Sequence, residues 1–294
     1  MAVWYVTDGI YNNVSSIKYN NEDVKQIYKD GKLIYSTFED CSWDDIINMD
    51  SSTAYGMFNV GDEKDITLTN GYTLRVRILG FGQDINADTY KDCKMTLQVV
   101  GGTYSYVSNW GSSNSYKNSD IKTFLDGTLY NLFPDNIKNA MISRYRTQYY
   151  YLTATSYGQS TTKAKLFPLA LCEIFSKTGL ENSYYTLIKN SVSQFMQEGF
   201  NTTNSQYTYY KNKLGDTTCD YRVTLGEDNL FYYKDYFNNY TLYNGSPCGA
   251  FLRSELFNGG RYSLWIAGNI FYPSSGAPNT NSGHRSALIC TFAI

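Results

Sequence analysis

Residues 65–100 read DITLTNGYTLRVRILGFGQDINADTYKDCKMTLQVV. Residues 65–69 and 73–79 alternate apolar and polar side chains around Asn70-Gly71, a dipeptide that readily supplies the positive φ of a tight hairpin turn. Residues 94–100 repeat the alternation and predict a further strand on the same sheet. Helices are expected on both sides. Upstream, Ser42 precedes Trp43, Ile46 and Ile47 at helical spacing, a capped start. Downstream, Ser119 can cap a segment whose Ile121, Phe124 and Leu125 share one face, and Phe133-Pro134-Asp135 opens another carrying Ile137, Ala140 and Met141.

Farther along, residues 166–175 are apolar and predict a buried strand running into a short turn. Tyr184, Leu187, Ile188, Val192, Phe195 and Met196 fit a helical stripe. Residues 202–243 are polar, aromatic and turn-rich, which predicts long surface loops. Near the start, residues 24–28 and 32–35 flank Lys29-Asp30-Gly31 as a second hairpin, within a unit of about residues 1–39. Three short strands bury little by themselves, so this unit is expected to need a partner surface. The fold class expected is α+β, with a mainly antiparallel sheet and a few helices in residues 40–294, behind a small all-β module.

Composition removes several function classes. The 25 Lys+Arg nearly balance 27 Asp+Glu, so there is no basic field to gather phosphates, and nucleic acid is not an expected partner. No apolar run approaches the ~20 residues of a membrane helix, and membrane insertion is not expected. Tyrosine accounts for 30 of 294 residues; its ring and hydroxyl suit both strands and exposed binding surfaces. Codon bias of an AT-rich genome is the competing explanation of that excess. The six cysteines are widely spaced, unlike a zinc site, and read as free thiols made in a reducing cytoplasm. MAVWYVTDGIYNN lacks the basic and apolar regions of a signal peptide.

Residues 248–294 read CGAFLRSELFNGGRYSLWIAGNIFYPSSGAPNTNSGHRSALICTFAI. Apolar runs, two of them carrying an arginine, alternate with loops of Gly, Ser, Asn and aromatics. The last run is expected to lock into a sheet, leaving residues 268–283 as a loop for recognition.

The order of short words along the chain carries a resemblance. It comprises Trp43 with Ile46, MFNVGDEKDITL, RVRILGF with Asp84 soon after, the helix entry from Trp110 to Leu125, FPLALCEIF, and FLRS near HRSALICTFAI. Over roughly residues 41–294 this resembles a domain family without assigned activity, found in phages and gut bacteria, whose ending reads W-L-R-S and then G-x-R-P-A. The resemblance implies a C-type-lectin-like fold. The chain departs from the pattern with Gly249-Ala250-Phe251 before the Leu-Arg-Ser and with Arg285-Ser286 in place of Arg-Pro, which implies remodelled loops on a retained scaffold. VKQIYKDGKLIYS is similar to short N-terminal β modules that attach phage tail and fibre proteins to their particle.

Candidate sites follow from residue type and position. Arg253 and Arg285 sit within apolar runs, where a guanidinium needs carboxylate or carbonyl partners to offset its desolvation; a scaffold role is expected of both, and a core position of Trp265. Tyr262, Asn269, Tyr272, Asn279 and Asn281 combine aromatic faces with amides suited to a sugar or a protein epitope. His284, the single histidine, stands at the mouth of the last run, a place for positioning or binding. Asp44, Asp45, Asp84, Asp88 and Asp92 lack the spacing of a calcium loop and read as solvated loop carboxylates. No catalytic residue, metal or cofactor is expected.

The function the two resemblances imply is a phage virion structural protein, and no enzymatic activity is expected. Residues 1–39 would join other virion proteins, the body would bind a host-surface glycan or protein, and the assembly would be a homo-oligomer. The alternatives are a capsid or tail decoration protein that binds no host molecule, and a glycan-cleaving enzyme with two carboxylates converging near residues 250–285.

Overall fold

The computed structural model describes residues 17–19, 22–29, 32–102, 115–153, 156–183, 186–201, 203–219, 250–257, 261–267, 270–273 and 290–294. Its centre is a four-stranded antiparallel sheet formed by β5 (Glu63–Thr67), β6 (Thr73–Phe81), β7 (Met95–Gly102) and β13 (Thr291–Ala293), in the order β13-β7-β6-β5. The β5/β6 hairpin pairs Thr67 with Thr73, and Gly71 takes a φ of 84° in its turn, as the Asn-Gly signal requires. β13 pairs with β7, Phe292 opposite Leu97, so the last apolar run does close a sheet.

Helices cover this sheet. α1 (Trp43–Asn48) is capped by Ser42, which accepts from the Asp45 N–H, and α2 (Ser51–Met57) is capped by Asp50, which accepts from the Thr53 N–H. α3 (Asp120–Thr123) is capped by Ser119 and runs directly into a π-helical stretch, Phe124–Leu129, then α4 (Tyr130–Leu132). α5 (Asp135–Ala140) follows Pro134. Ile46, Ile121, Phe124, Leu125, Leu129, Phe133 and Ile137 form one buried cluster with Ile66, Leu74, Val76, Ile78, Leu97, Val99 and Phe292 of the sheet.

Four short strands precede these helices: β1 (Ile17–Tyr19) pairs with β2 (Glu22–Val24), and β3 (Gln26–Lys29) with β4 (Lys32–Ser36). Leu33 of β4 and Phe38 belong to the same buried cluster as the central sheet, and Phe38 meets Trp43 and Phe58 edge to face. An apolar anchor therefore ties this hairpin to the body.

A hairpin that the periodicity does not announce comes next: β8 (Arg144–Thr153) and β9 (Ser156–Ala164) pair from Arg144↔Ala164 to Thr153↔Ser156. A second buried cluster lies beyond it, where α6 (Leu171–Ile174), α7 (Lys177–Glu181), α8 (Thr186–Asn190), α9 (Val192–Glu198) and α10 (Thr208–Leu214) gather Leu171, Phe175, Leu180, Ile188, Phe195, Tyr207, Tyr210 and Leu252. A three-stranded antiparallel sheet, β10 (Ala250–Phe257), β11 (Arg261–Ala267) and β12 (Ile270–Pro273), completes the described fold. The class is α+β.

Three expectations are corrected. The strand expected over residues 166–175 is a single bridge, Phe167 to Thr291, followed by helix α6. A short apolar run fits either conformation; Glu173 decides for the helix by accepting from the Ala170 N–H at 2.7 Å. The loops expected over 202–243 give way to α10 at residues 208–214, where Tyr207 and Tyr210 are fully buried; residues 220–243 lie outside the described residues. Within the loop expected over 268–283, residues 270–273 are β12, paired with β11.

The π-helical stretch yields a first prediction. Tyr130 N–H reaches back to the Leu125 carbonyl, a one-residue insertion in the usual ladder, and a Cβ added at Gly127 meets no heavy atom within 4 Å. Gly127→Ala should raise stability by about 0.5–1 kcal/mol, since alanine loses less backbone freedom on folding. A thermal melt checks this; a lowered midpoint would mean that the π turn itself needs glycine.

Candidate functional site

Strand β8 reads RYRTQYYYLT, and period-two geometry divides its first residues between two faces. Arg144, Arg146 and Gln148 are buried, whereas Tyr145 is 51% exposed. Each face has its own environment.

The inner face feeds an ionic core. The Asp84 carboxylate accepts from Arg144 Nη1 at 2.8 Å, Thr96 Oγ1 at 2.7 Å and Tyr207 Oη at 3.0 Å, and it pairs closely with Arg146. Glu173 Oε1 accepts from Arg146 Nε at 2.9 Å and Arg253 Nη2 at 3.1 Å. Arg253 also donates to the carbonyls of Pro168 and of Glu198, the latter at 2.7 Å. All three guanidiniums stand 5.4–6.0 Å from the ring centroid of the buried Phe167, an arrangement that favours cations through the ring quadrupole. Burial would raise the Asp84 pKa, but Arg146, Arg144 and the Thr96 hydroxyl outweigh it and hold the carboxyl well below the usual range.

Glu198 behaves oppositely. It accepts from the Tyr149 N–H at 3.1 Å and pairs with the Ser254 hydroxyl, yet complete burial pushes its pKa up to about 7 against the pull of Ser254 and Arg253. A carboxyl beside Arg253 thus titrates near neutrality while Asp84 stays ionised.

Over its first residues the outer face is polar and open, until Tyr149 packs against the second buried cluster. Tyr145 lies across from Lys163, Thr147 from Thr161 and Tyr149 from Gln159; the two threonine hydroxyls are 3.2 Å apart. A loop folds against its edge: Ala87 N–H donates to the Ser143 carbonyl at 2.7 Å, and Asp88 pairs with Lys163. The same loop holds Tyr90 at a φ of 58° and 82% exposed, a backbone state that a bulky residue adopts only when its surroundings impose it. Here Asn86 does so, accepting from the Asp88 and Thr89 N–H groups while its carbonyl accepts from Tyr90 N–H. Tyr145 and Tyr90 both lie within electrostatic reach of Lys163.

Beside this face opens a cleft of about 190 Å³ lined by Asp126, Tyr130, Ser143, Ala164, Lys165 and Leu166. Lys165 Nζ donates to Tyr130 Oη at 2.8 Å and to the Lys138 carbonyl at 3.0 Å. The π-helical stretch brings Asp126 and Tyr130 to its wall.

Arg253, read from sequence as a scaffold arginine in need of carboxylate and carbonyl partners, has both. On β11, Trp265 is in register with Phe251 and Tyr272, and Tyr262 with Leu256. Asn269, Asn279, Asn281, His284 and Arg285 lie outside the described residues. Asp84 is corrected: it is fully buried among arginines, not a solvated loop carboxylate. Asp44 accepts from Asn136 Nδ2 and Asp45 from the Ser42 hydroxyl, so these carboxylates serve separate places. Among the described residues no group of His, Cys, Asp and Glu is arranged to hold a metal ion, and no helix is long and apolar enough to cross a membrane. Cys41, Cys93, Cys172 and Cys290 are free, and they and Cys219 are buried; burial raises the thiol pKa values of the first four, Cys93 to about 11 and Cys290 to about 12, away from the nucleophilic thiolate.

No curated protein and no solved structure matches the chain. Residues 85–257, from the start of the Tyr90 loop to the end of β10, match a family described as a domain of unknown function, DUF6273. That span holds Arg144, Arg146, Glu173, Glu198 and Arg253 together with Tyr90 and Tyr145, and it excludes β5, β6 and β13. Because the match covers more than half of the chain, this protein belongs to the DUF6273 family.

Proposed function

We propose that the protein is a non-enzymatic phage virion component whose C-type-lectin-like body recognises a host-surface glycan or protein, while residues 1–39 attach it to neighbouring virion proteins as a homo-oligomer. The observation that carries this reading is the division of labour across β8. Its arginines are consumed by buried acids, and the opposite face leaves Tyr145, Thr147, Thr161 and Lys163 facing outward. A rigid ionic floor under an aromatic and hydroxyl surface suits recognition, because Tyr supplies contact area at low entropic cost.

The acids beside β10 favour binding over hydrolysis. Glu173 is engaged by Arg146 and Arg253, Glu198 by Ser254, and both are buried away from the cleft. A glycosidase needs two carboxyls flanking a bound sugar. The lectin-like part of the proposal rests on the resemblance carried by residues 251–254 and the last run, and the attachment part on the resemblance of residues 24–36.

A pull-down of host envelope material by the full chain tests the surface. Tyr145→Ala combined with Tyr90→Ala should weaken capture about tenfold or more, since exposed aromatic anchors carry much of such binding energy, with the melting midpoint unchanged. Undiminished capture by the double variant would remove the tyrosine face from the account.

A further inference from the structure

Resting on that recognition reading, we propose that the cleft at the π-helical turn is a subsite for one acidic sugar unit, a hexuronate, gripped through Lys165. The charge pattern around the cleft points there. Lys122 pairs with Asp126, Lys138 with Asp135 and Lys163 with Asp88. Lys165 has only neutral partners among the described residues, the hydroxyl and ring of Tyr130 and the Lys138 carbonyl. An ammonium carries three donors, so one stays uncommitted at the cleft wall. A carboxylate is the partner that such a cation lacks.

The remaining lining fits a sugar ring. Asp126 keeps acceptor capacity for ligand hydroxyls, the Ser143 hydroxyl has no partner among the described residues, and Ala164 and Leu166 offer an apolar wall to C–H groups. The volume of about 190 Å³ is smaller than the roughly 300 Å³ at which pockets for drug-sized ligands begin, so one monosaccharide is the fitting guest. Two structural facts reinforce the assignment. The π turn that aligns Asp126 with Tyr130 is a device frequent at functional sites. Ser143 and Lys165 adjoin Tyr145 and Lys163 in sequence at the same end of the hairpin, so a longer acidic glycan can continue from the cleft onto the tyrosine face.

The test titrates the full chain with glucuronate, glucose and acetate, followed by NMR. Glucuronate should bind about tenfold more tightly than glucose, the difference a charge-assisted hydrogen bond supplies, and more tightly than acetate. Lys165→Gln should erase the preference, and Lys165→Arg should keep it. If Lys165→Gln fails to fold, the Ala164 and Leu166 methyl resonances of the unaltered chain give the second readout and should shift with glucuronate. Equal binding of glucuronate and glucose, a preference that survives in Lys165→Gln, or methyls that do not move would overturn the subsite. Capture of host material that depends on Tyr145 but ignores Lys165 would sink the uronate assignment and spare the recognition reading. Loss of both would remove the two together.

Discussion

Replacing Asp84 by asparagine is expected to cost about 3–5 kcal/mol of stability, the usual consequence of removing one partner from a buried ion pair. Asparagine preserves the shape but leaves the Arg144 and Arg146 guanidiniums facing an amide in a site with no water access; Asp84 and Arg144 are each completely buried. Arg146 retains Glu173, while Arg144 falls back on the Thr291 and Lys165 carbonyls. The sign with pH is fixed by the lowered Asp84 pKa. Its contribution is complete above the unfolded value near 3.9 and is lost as pH falls through the folded one. Urea denaturation of the variant at neutral pH measures the effect. A loss under about 1 kcal/mol, the scale of an exposed pair, would mean that the arginines find other partners.

The second large effect concerns Glu198 and runs in the opposite direction. A folded pKa of about 7 against an ordinary 4.5 means that the unfolded chain ionises first. The contribution of Glu198 is therefore present below about 4.5 and is lost as pH rises toward 7, up to about 3 kcal/mol by linkage. Glu198→Gln mimics the protonated carboxyl: its oxygen can accept from Tyr149 N–H and its amide can donate to Ser254 Oγ. The neighbours that set the charge balance, Arg253 and Glu173, are untouched. The variant should match the parent near pH 4.5 and exceed it increasingly up to pH 7.5. Parallel stability curves across that interval would show that Glu198 is ionised throughout.

What was legible in the sequence was local. Asn70-Gly71 carries its turn in two residues, and Ser42 and Ser119 announce their helices because a cap is a contact three residues long. The ionic core is the reverse case. Asp84 meets Arg144 and Arg146 across 60 and 62 residues, and Arg253 meets Glu173 across 80, so nothing adjacent in the chain identifies the pairs. A signal did exist in β8, where Arg144, Arg146 and Gln148 alternate with Tyr145, Thr147 and Tyr149. Hydrophobic patterning misses it because both faces are polar. The aromatic edge proposed for residues 262–284 drew attention to the end of the chain, while the exposed tyrosines within the family span, Tyr90 and Tyr145, sit in a loop and a strand that composition does not distinguish.

Electron microscopy of an assembled particle containing this chain tests the central proposal most directly. The account predicts density for residues 17–36 against a neighbouring subunit and the Tyr90, Tyr145 and Lys165 surface turned to solvent, free to meet a host. A particle in which residues 17–36 touch no neighbour, or one in which a neighbouring subunit covers Tyr145 and fills the Lys165 cleft, would contradict it.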